Sequence, residues 1–191
     1  MDVVAVARSL NRQAVQENWH HFCDPTLSFS DNRYEHLLAL WRAKAAVRSM
    51  PRRSDLTPRE LKDIMRHVVM FERFAKNPSR YLWRLVGSAI TDVAGHGTVG
   101  KSFEETVPPE HLTRWVSCGD LILDGGQPMR CLGRVHLKDR EYLDAENLFV
   151  PLANDNDEPT FILGHCRYTP RSSDSDDIFE NQIASLPGGL L

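Results

Sequence analysis

The 191-residue chain contains no long hydrophobic run and little excess charge of either sign. Its longest apolar runs fall far short of the roughly 20 residues that a membrane-spanning helix needs. The N-terminal sequence MDVVAVARSLNRQ lacks the basic start and long apolar core of a signal peptide. The net charge of -3 gives no electrostatic reason to expect binding to nucleic acid or to an anionic membrane. We therefore expect a cytoplasmic protein with no membrane insertion and no nucleic-acid partner.

The chain has only four cysteines, and they are scattered. They lie at positions 23, 118, 131 and 166, with no C-x-x-C pair among them. This spacing indicates neither a disulfide framework nor a zinc site, and it is typical of a reducing cytosol. We therefore predict no metal site from the sequence.

One stretch, GHGTVGKS from Gly95 to Ser102, matches the G-x-x-x-x-G-K-[ST] pattern of a phosphate-binding loop. Such a loop lies between a buried parallel strand and a long helix, whose N-terminal N–H groups and dipole hold the phosphates. Here a helix-like segment precedes Gly95, and Pro108 leaves room for only about one and a half helical turns after Ser102. We interpret the match as a coincidence, which makes a P-loop nucleotide-binding enzyme the least favoured alternative.

Hydrophobic periodicity predicts the order of the secondary-structure elements. Two helices come first, the second opening with the capping sequence TPRE at 57–60. Two strands around the turn NPS, two short helices, a helix from Pro109 and three more strands follow. The first helix should pack on the outer face of the sheet or form a dimer seam through Tyr34, Leu37, Trp41 and Ala45.

Six stretches, taken in order, carry a resemblance to a known family: LLALWRAKAAVRSMPRRSDLTPREL, RYLWRLVGSAI, GKSFEE, GQPMRCLGRVHL, LFVPLAND and FILGHCRY. Together with the order of elements, they resemble the PAS domain, and more closely the single-domain PAS-like family common in alphaproteobacteria. The resemblance spans about residues 34–168. Each motif is degenerate, but their order and spacing together are fairly specific.

The resemblance implies an α+β fold: a PAS-like five-stranded antiparallel sheet with short helices on one face and an N-terminal helical extension. We predict three parts. Residues 1–30 are a partly helical extension, and residues 31–169 are the PAS-like domain with its two lead-in helices. Residues 170–191 are an acidic tail whose composition predicts disorder.

The resemblance also implies a sensory or regulatory function. PAS domains sense a small molecule between sheet and helices, or mediate dimerisation and partner contact, and normally signal to a fused output domain. The sequence shows no motif of such an output domain and no local pairing of side chains that indicates catalysis. We expect a stand-alone, non-enzymatic signalling protein that binds a protein partner and forms a homodimer. A small-molecule ligand is left open, and the cofactor is unknown.

Two sets of residues are candidate sites. The cavity set comprises Met70, Trp83, Leu85, Phe103, Trp115, Val150, Phe161 and Leu163, although periodicity does not distinguish such residues from ordinary core. The anion or partner patch comprises Arg42, Arg48, Arg52 and Arg53, since guanidinium groups suit phosphate. The same arginines could instead simply complement a helix C-terminus. The alternative function is a haem- or nucleotide-binding sensor, with His96 or His111 as a haem ligand.

Overall fold

The fold comprises five α-helices and six strands among the described residues. The computed structural model describes residues 1–29, 32–135, 142–171, 181 and 183–186. The helices are α1 (Val3–Gln16), α2 (Glu35–Ala45), α3 (Ser88–Ala94), α4 (Phe103–Thr106) and α5 (Pro109–Gly125). The strands are β1 (His21–Asp24), β2 (Val68–Lys76), β3 (Ser79–Val86), β4 (Met129–Arg134), β5 (Leu143–Ala153) and β6 (Pro159–Pro170). Within these ranges, no helix has the length and apolar character needed to cross a membrane.

The strands form one antiparallel sheet in the order β1-β4-β5-β6-β2-β3. The predicted α+β fold with an antiparallel sheet is confirmed, with six strands where five were predicted. The additional strand is β1, which lies within the predicted extension. Its four residues, HFCD, are too few to show the alternation by which a strand is recognised in a sequence.

Both faces of the sheet are covered by helices. Helices α1, α3, α4 and α5 pack on one face, which carries Val69, Phe71 and Trp83. Helix α2 and the segment that follows it pack on the other face, which carries Met70 and Leu163. Strands covered on both sides carry apolar residues at successive positions, so their sequences do not alternate simply between apolar and polar.

Helix α2 uses its apolar stripe against the sheet. Trp41 Nε1 donates a hydrogen bond to the carbonyl oxygen of Pro151 at 2.7 Å, and the Tyr34 hydroxyl donates to the carbonyl oxygen of Glu146 at 2.6 Å. Both acceptors lie on β5. This helix face was predicted either to pack on the sheet or to form a dimer seam. In the structure it packs on the sheet, which buries Tyr34, Leu37, Trp41 and Ala45.

The second lead-in helix predicted from TPRE is instead a run of turns that ends in a 3-10 helix at Lys62–His67. The capping interaction does form, because Glu60 Oε2 accepts a hydrogen bond from the Thr57 backbone at 2.9 Å. However, β2 begins directly after this segment. A segment this short gains little from α-helical propagation, so tertiary contacts determine its backbone conformation.

Part of the tail predicted to be disordered packs on the fold. Ile183 and Leu186 are buried against Phe22, Leu132 and Ala14. This short segment is therefore part of the packed structure, because its two apolar side chains cover residues of α1, β1 and β4. The rest of the tail, residues 172–180, 182 and 187–191, lies outside the described residues.

The side chain of Asn11, on α1, is hydrogen-bonded to the backbone of β1. Asn11 Nδ2 donates to the carbonyl oxygen of Cys23, and Asn11 Oδ1 accepts from the Cys23 backbone N–H, both at 2.8 Å. Asn11 is buried. One amide therefore satisfies both polar groups of the Cys23 backbone where water has little access.

Helix α5 lies unusually close to the sheet. A Cβ atom at Gly119 would be 2.7 Å from Cζ of Tyr81, so the helix can take this position only with glycine there. The Tyr81 hydroxyl donates to Asp120 at 2.7 Å, and Arg73 Nη1 lies 2.9 Å from Asp124. These contacts fix where the side chains of α5 meet the sheet.

Replacing Asn11 by leucine should destabilise the fold. The change keeps the side-chain size but leaves the N–H and C=O of Cys23 unpaired, at a cost of about 1–3 kcal/mol for each group. Urea unfolding measures the change. Gln13→Leu is the matched control, since it makes the same kind of substitution at an exposed position of α1. It should alter the free energy of unfolding by less than about 0.5 kcal/mol. Equal effects of the two variants would contradict this role of Asn11.

Candidate functional site

A cavity of about 170 Å³ lies between the sheet and helices α3, α4 and α5. Part of its wall consists of aromatic rings, several of them packed edge to face, which fixes their positions. The ring centroids of Phe71 and Trp83 are 4.8 Å apart, and those of Phe103 and Trp115 are 5.5 Å apart. Trp83 is also held by a hydrogen bond from its Nε1 to the Thr106 hydroxyl at 2.9 Å. The cavity therefore has preformed walls.

Three of the eight residues predicted to line the cavity do so: Trp83, Phe103 and Trp115. The other five belong to the apolar layer on the opposite face, beneath α2: Met70, Leu85, Val150, Phe161 and Leu163. Their assignment to the cavity requires correction. The strand residues that take their place include Val69, Phe71, Phe149 and Ile162.

The misassignment has a physical reason. Because both faces of the sheet are buried, the alternation of apolar residues does not reveal which set faces the helices. A β-bulge in the β2–β3 pair also changes which residues of β3 share a face. Met70 pairs with Leu85 whereas Phe71 pairs with Trp83, so one residue is skipped in β3. Leu85 and Trp83 are two positions apart and yet belong to opposite layers.

The cavity also contains polar groups without protein partners. Arg114 is 7% exposed, and its Nε and Nη1 have no hydrogen-bond partner among the described residues. The same holds for Oδ1 of Asn147. Burial lowers the pKa of Arg114 to about 10, against an opposing influence from nearby thiols. The guanidinium group therefore remains charged at neutral pH in an otherwise apolar cavity.

Four side chains at the β1–β4 side of the cavity form what we call the thiol cluster: His21, Cys23, Cys118 and Cys131. Cys118 Sγ lies 3.6 Å from Cys23 Sγ and 3.7 Å from Cys131 Sγ. The imidazole of His21 offers a nitrogen within 4.8 Å of the Cys23 and Cys118 sulfur atoms. Three separate elements thus bring four potential metal-binding groups together.

The protonation states within the thiol cluster depend on the central sulfur. Hydrogen bonds from Cys131 and Cys23 lower the pKa of Cys118, and the same bonds raise the pKa of Cys131 and Cys23. Burial, assisted by the charge of Arg114, lowers the pKa of His21 to about 4, so its imidazole is neutral at pH 7. Within the cluster, Cys118 is therefore the most acidic of the three thiols, and it lies beside a neutral imidazole.

The sequence analysis missed the thiol cluster because its members are far apart in the chain. Cys23 and Cys131 are register partners on β1 and β4, and that pairing is not visible without the additional strand. One local signal was present. His21 and Cys23 are two residues apart, so a strand at 21–24 would have placed both side chains on the same face.

The predicted arginine patch is partly neutralised within the chain. Arg48 pairs with Asp55, and both Nε and Nη2 of Arg52 donate to Asp157, at 2.8 and 2.6 Å. The other two members, Arg42 and Arg53, are exposed. Two of the four arginines are therefore paired with carboxylates, and an anion or partner site at this patch stays a prediction.

The GHGTVGKS stretch has none of the geometry of a phosphate loop. It follows the short helix α3, and the helix after it, α4, has only four residues. Gly95, Gly97 and Gly100 adopt positive φ angles, which glycine tolerates. The loop then runs beside β3, where the Trp83 N–H donates to the Lys101 carbonyl and the Gly100 N–H donates to the Trp83 carbonyl. This stretch serves as a turn.

The cavity does not fit haem. Ligand pockets for drug-sized molecules are about 300–1,000 Å³, and this cavity is smaller than that range. His111 lies on the wall, whereas His96 is exposed. Binding of a macrocycle would require the aromatic walls to separate.

Comparison with known proteins identifies the family. A family profile described as PAS domain matches residues 30–167. The chain therefore belongs to the PAS domain family, whose members are sensory modules of signal transduction. No curated protein sequence matches the chain.

Two solved structures are among those similar to this chain. One, entitled as an RNA-binding light-oxygen-voltage receptor, is 12% identical with a TM-score of 0.46, and the match covers 86% of this chain and 41% of that one. The other, a sensory box histidine kinase/response regulator from Burkholderia thailandensis, is also 12% identical with a TM-score of 0.41. That match covers 66% of this chain and 95% of the other.

Truncating Phe103 should destabilise the fold, because its ring contacts four other aromatic rings. We expect Phe103→Ala to lower the free energy of unfolding by about 3–5 kcal/mol. Phe74→Ala removes the same atoms from a side chain that is 41% exposed and lies beneath Arg80. This control should lower the free energy of unfolding by less than about 1 kcal/mol. Chemical denaturation of both variants tests the contrast, and a small loss for Phe103→Ala would show that the aromatic walls are loosely packed.

Proposed function

We propose that the chain is a regulatory PAS protein that acts in signal transduction by binding, without catalysis, and that the cavity holds a small ligand. The observation that carries the proposal is the preformed, aromatic-walled cavity between sheet and helices. It is slightly larger than the engineered cavities of about 150 Å³ that bind benzene. The fitting ligand is therefore a compact, mainly apolar molecule of about ten non-hydrogen atoms or fewer.

The proposal extends to how the signal leaves the domain. Binding in the cavity would stabilise the packing of α3, α4 and α5 on the sheet, and a protein partner that recognises these helices would then respond to the ligand. Homodimer formation is part of the proposal as well. The described surface carries isolated exposed apolar side chains, including Val4, Val15 and Val47, that are available to a partner or to a second copy.

A cytoplasmic location completes the proposal. All four cysteines are free thiols. Buried thiols in mutual contact without a disulfide fit a reducing compartment better than an oxidising one.

Filling the cavity should abolish ligand binding without harming the fold. Ala145 lines the cavity, so Ala145→Leu places additional methyl groups in the space that a ligand would occupy. We expect benzene or indole to raise the melting temperature of the wild-type protein in a concentration-dependent manner, and to have no effect on this variant. Native mass spectrometry of the purified protein checks for a non-covalent ligand and gives the oligomeric state.

The matched control is Ala43→Leu, which makes the same change at an exposed position of α2 and should respond to the probe like the wild type. A solidly packed interior would give a different pattern. In that case neither probe would raise the melting temperature, and Ala145→Leu would itself cost about 1–3 kcal/mol through overpacking.

A further inference from the structure

We propose that the thiol cluster binds one zinc ion through its three sulfur atoms and one imidazole nitrogen. This goes beyond the ligand binding proposed above and does not depend on it. The donor set is the Cys₃His combination of structural zinc sites. The candidate ligand atoms of His21, Cys23 and Cys118 already lie within 4.8 Å of one another, and Cys131 contacts Cys118.

The distances between sulfur atoms match those of a tetrahedral metal site. With zinc–sulfur bonds of about 2.3 Å, tetrahedral geometry places neighbouring sulfur atoms about 3.8 Å apart. The two recorded separations, from Cys118 to Cys23 and from Cys118 to Cys131, are 3.6 and 3.7 Å. A disulfide would require about 2.05 Å, and the cysteines are free. The sulfur of Cys118 is therefore at metal-site spacing from the other two, whereas Cys131 lies outside the set of ligand atoms that are all within 4.8 Å of one another and must move closer to complete the tetrahedron.

Two features position the side chains of the thiol cluster. A glycine on β4 leaves room for the imidazole of His21, and Asn11 fixes the backbone of Cys23. Gly133 is the register partner of His21 on β4, and a Cβ atom there would lie 3.2 Å from the His21 ring. Glycine thus lets the ring lie across the neighbouring strand. Cys23 is held at its backbone by Asn11. The donors come from β1, β4 and α5, whose relative positions are set by packing and not by a flexible loop.

The charge of Arg114 supplies an independent argument. Three thiolates and a neutral imidazole around a divalent cation leave one excess negative charge. Arg114 lies one helical turn before Cys118 and is a buried cation whose Nε and Nη1 have no hydrogen-bond partner among the described residues. Burying an unpaired charge is strongly unfavourable. The metal-loaded cluster would provide a counter-charge for this guanidinium.

Two simpler explanations each account for only part of the arrangement. Buried thiols often serve as small apolar side chains, but packing alone does not explain an imidazole and a guanidinium beside them. A small organic anion in the cavity would pair with Arg114, but it gives no reason for the convergence of three sulfur atoms. A bound metal ion accounts for both features.

The test uses the full chain, reduced and stripped of metal with a chelator, and titrated with Co²⁺. We expect the intense thiolate-to-cobalt charge-transfer band and the visible bands of a tetrahedral cobalt site, both displaced by Zn²⁺. Zn²⁺ should also raise the melting temperature. Cys118→Ser should lose the spectrum. Cys166→Ser is the matched control, because Cys166 is also buried but is not part of the thiol cluster, and it should keep the spectrum.

A second variant tests the counter-charge. Arg114→Leu should keep the cobalt spectrum but weaken metal binding by about 10–100-fold, as loss of an outer partner of a metal site does. Far-UV circular dichroism establishes that each variant is folded. If Cys118→Ser does not fold, Cys131→Ser replaces it, and the wild-type titration is decisive by itself.

Three results would overturn the zinc proposal. The first is a reduced wild-type protein that gives no cobalt–thiolate bands and no stabilisation by Zn²⁺. The second is an unchanged spectrum in the folded Cys118→Ser variant. The third is stabilisation by benzoate that requires Arg114, without any metal effect, which would assign the guanidinium to an organic anion. The benzene and Ala145→Leu measurements are separate, so failure of one proposal does not imply failure of the other.

Discussion

The position of the first strand depends on the amide of Asn11, and the polar end of the site depends on that strand. Strand β1 is four residues long and pairs with only one neighbour, β4, so it has few backbone bonds of its own. The Asn11 side chain adds two hydrogen bonds at Cys23. With Cys23 fixed opposite Cys131, the sulfur atoms of both strands face helix α5.

The same cavity combines two chemically different environments. At one side, aromatic rings provide an apolar surface, and at the other, the buried guanidinium of Arg114, the amide of Asn147 and the thiol of Cys118 line the same space. The close approach of α5 at Gly119 joins the two, because this helix carries both Trp115 and Cys118. A displacement of α5 would therefore move side chains at both ends of the cavity.

The sequence predicted the parts of the fold whose signals are local. The apolar stripe of α2 is periodic, and the strands of the β2–β3 and β5–β6 pairs are short apolar runs bounded by turn residues. These local signals also predicted the order of the elements, which the family resemblance then matched. The strand faces could not be predicted, because residues such as Met70 and Phe71 are both buried, beneath different helices. The thiol cluster could not be predicted either, since it requires the cross-strand pairing of β1 with β4. Conversely, the GHGTVGKS match was rejected on context, and the structure agrees.

The two outermost strands share a property that constrains how any partner can bind. On β1, the backbone N–H and C=O of Cys23 are taken by Asn11, and on β3, those of Trp83 are taken by Lys101 and Gly100. An exposed sheet edge normally invites an extended peptide to pair as one more strand. Here both edges are capped near their centres by the chain itself. Pairing of an additional strand is therefore disfavoured at these two points.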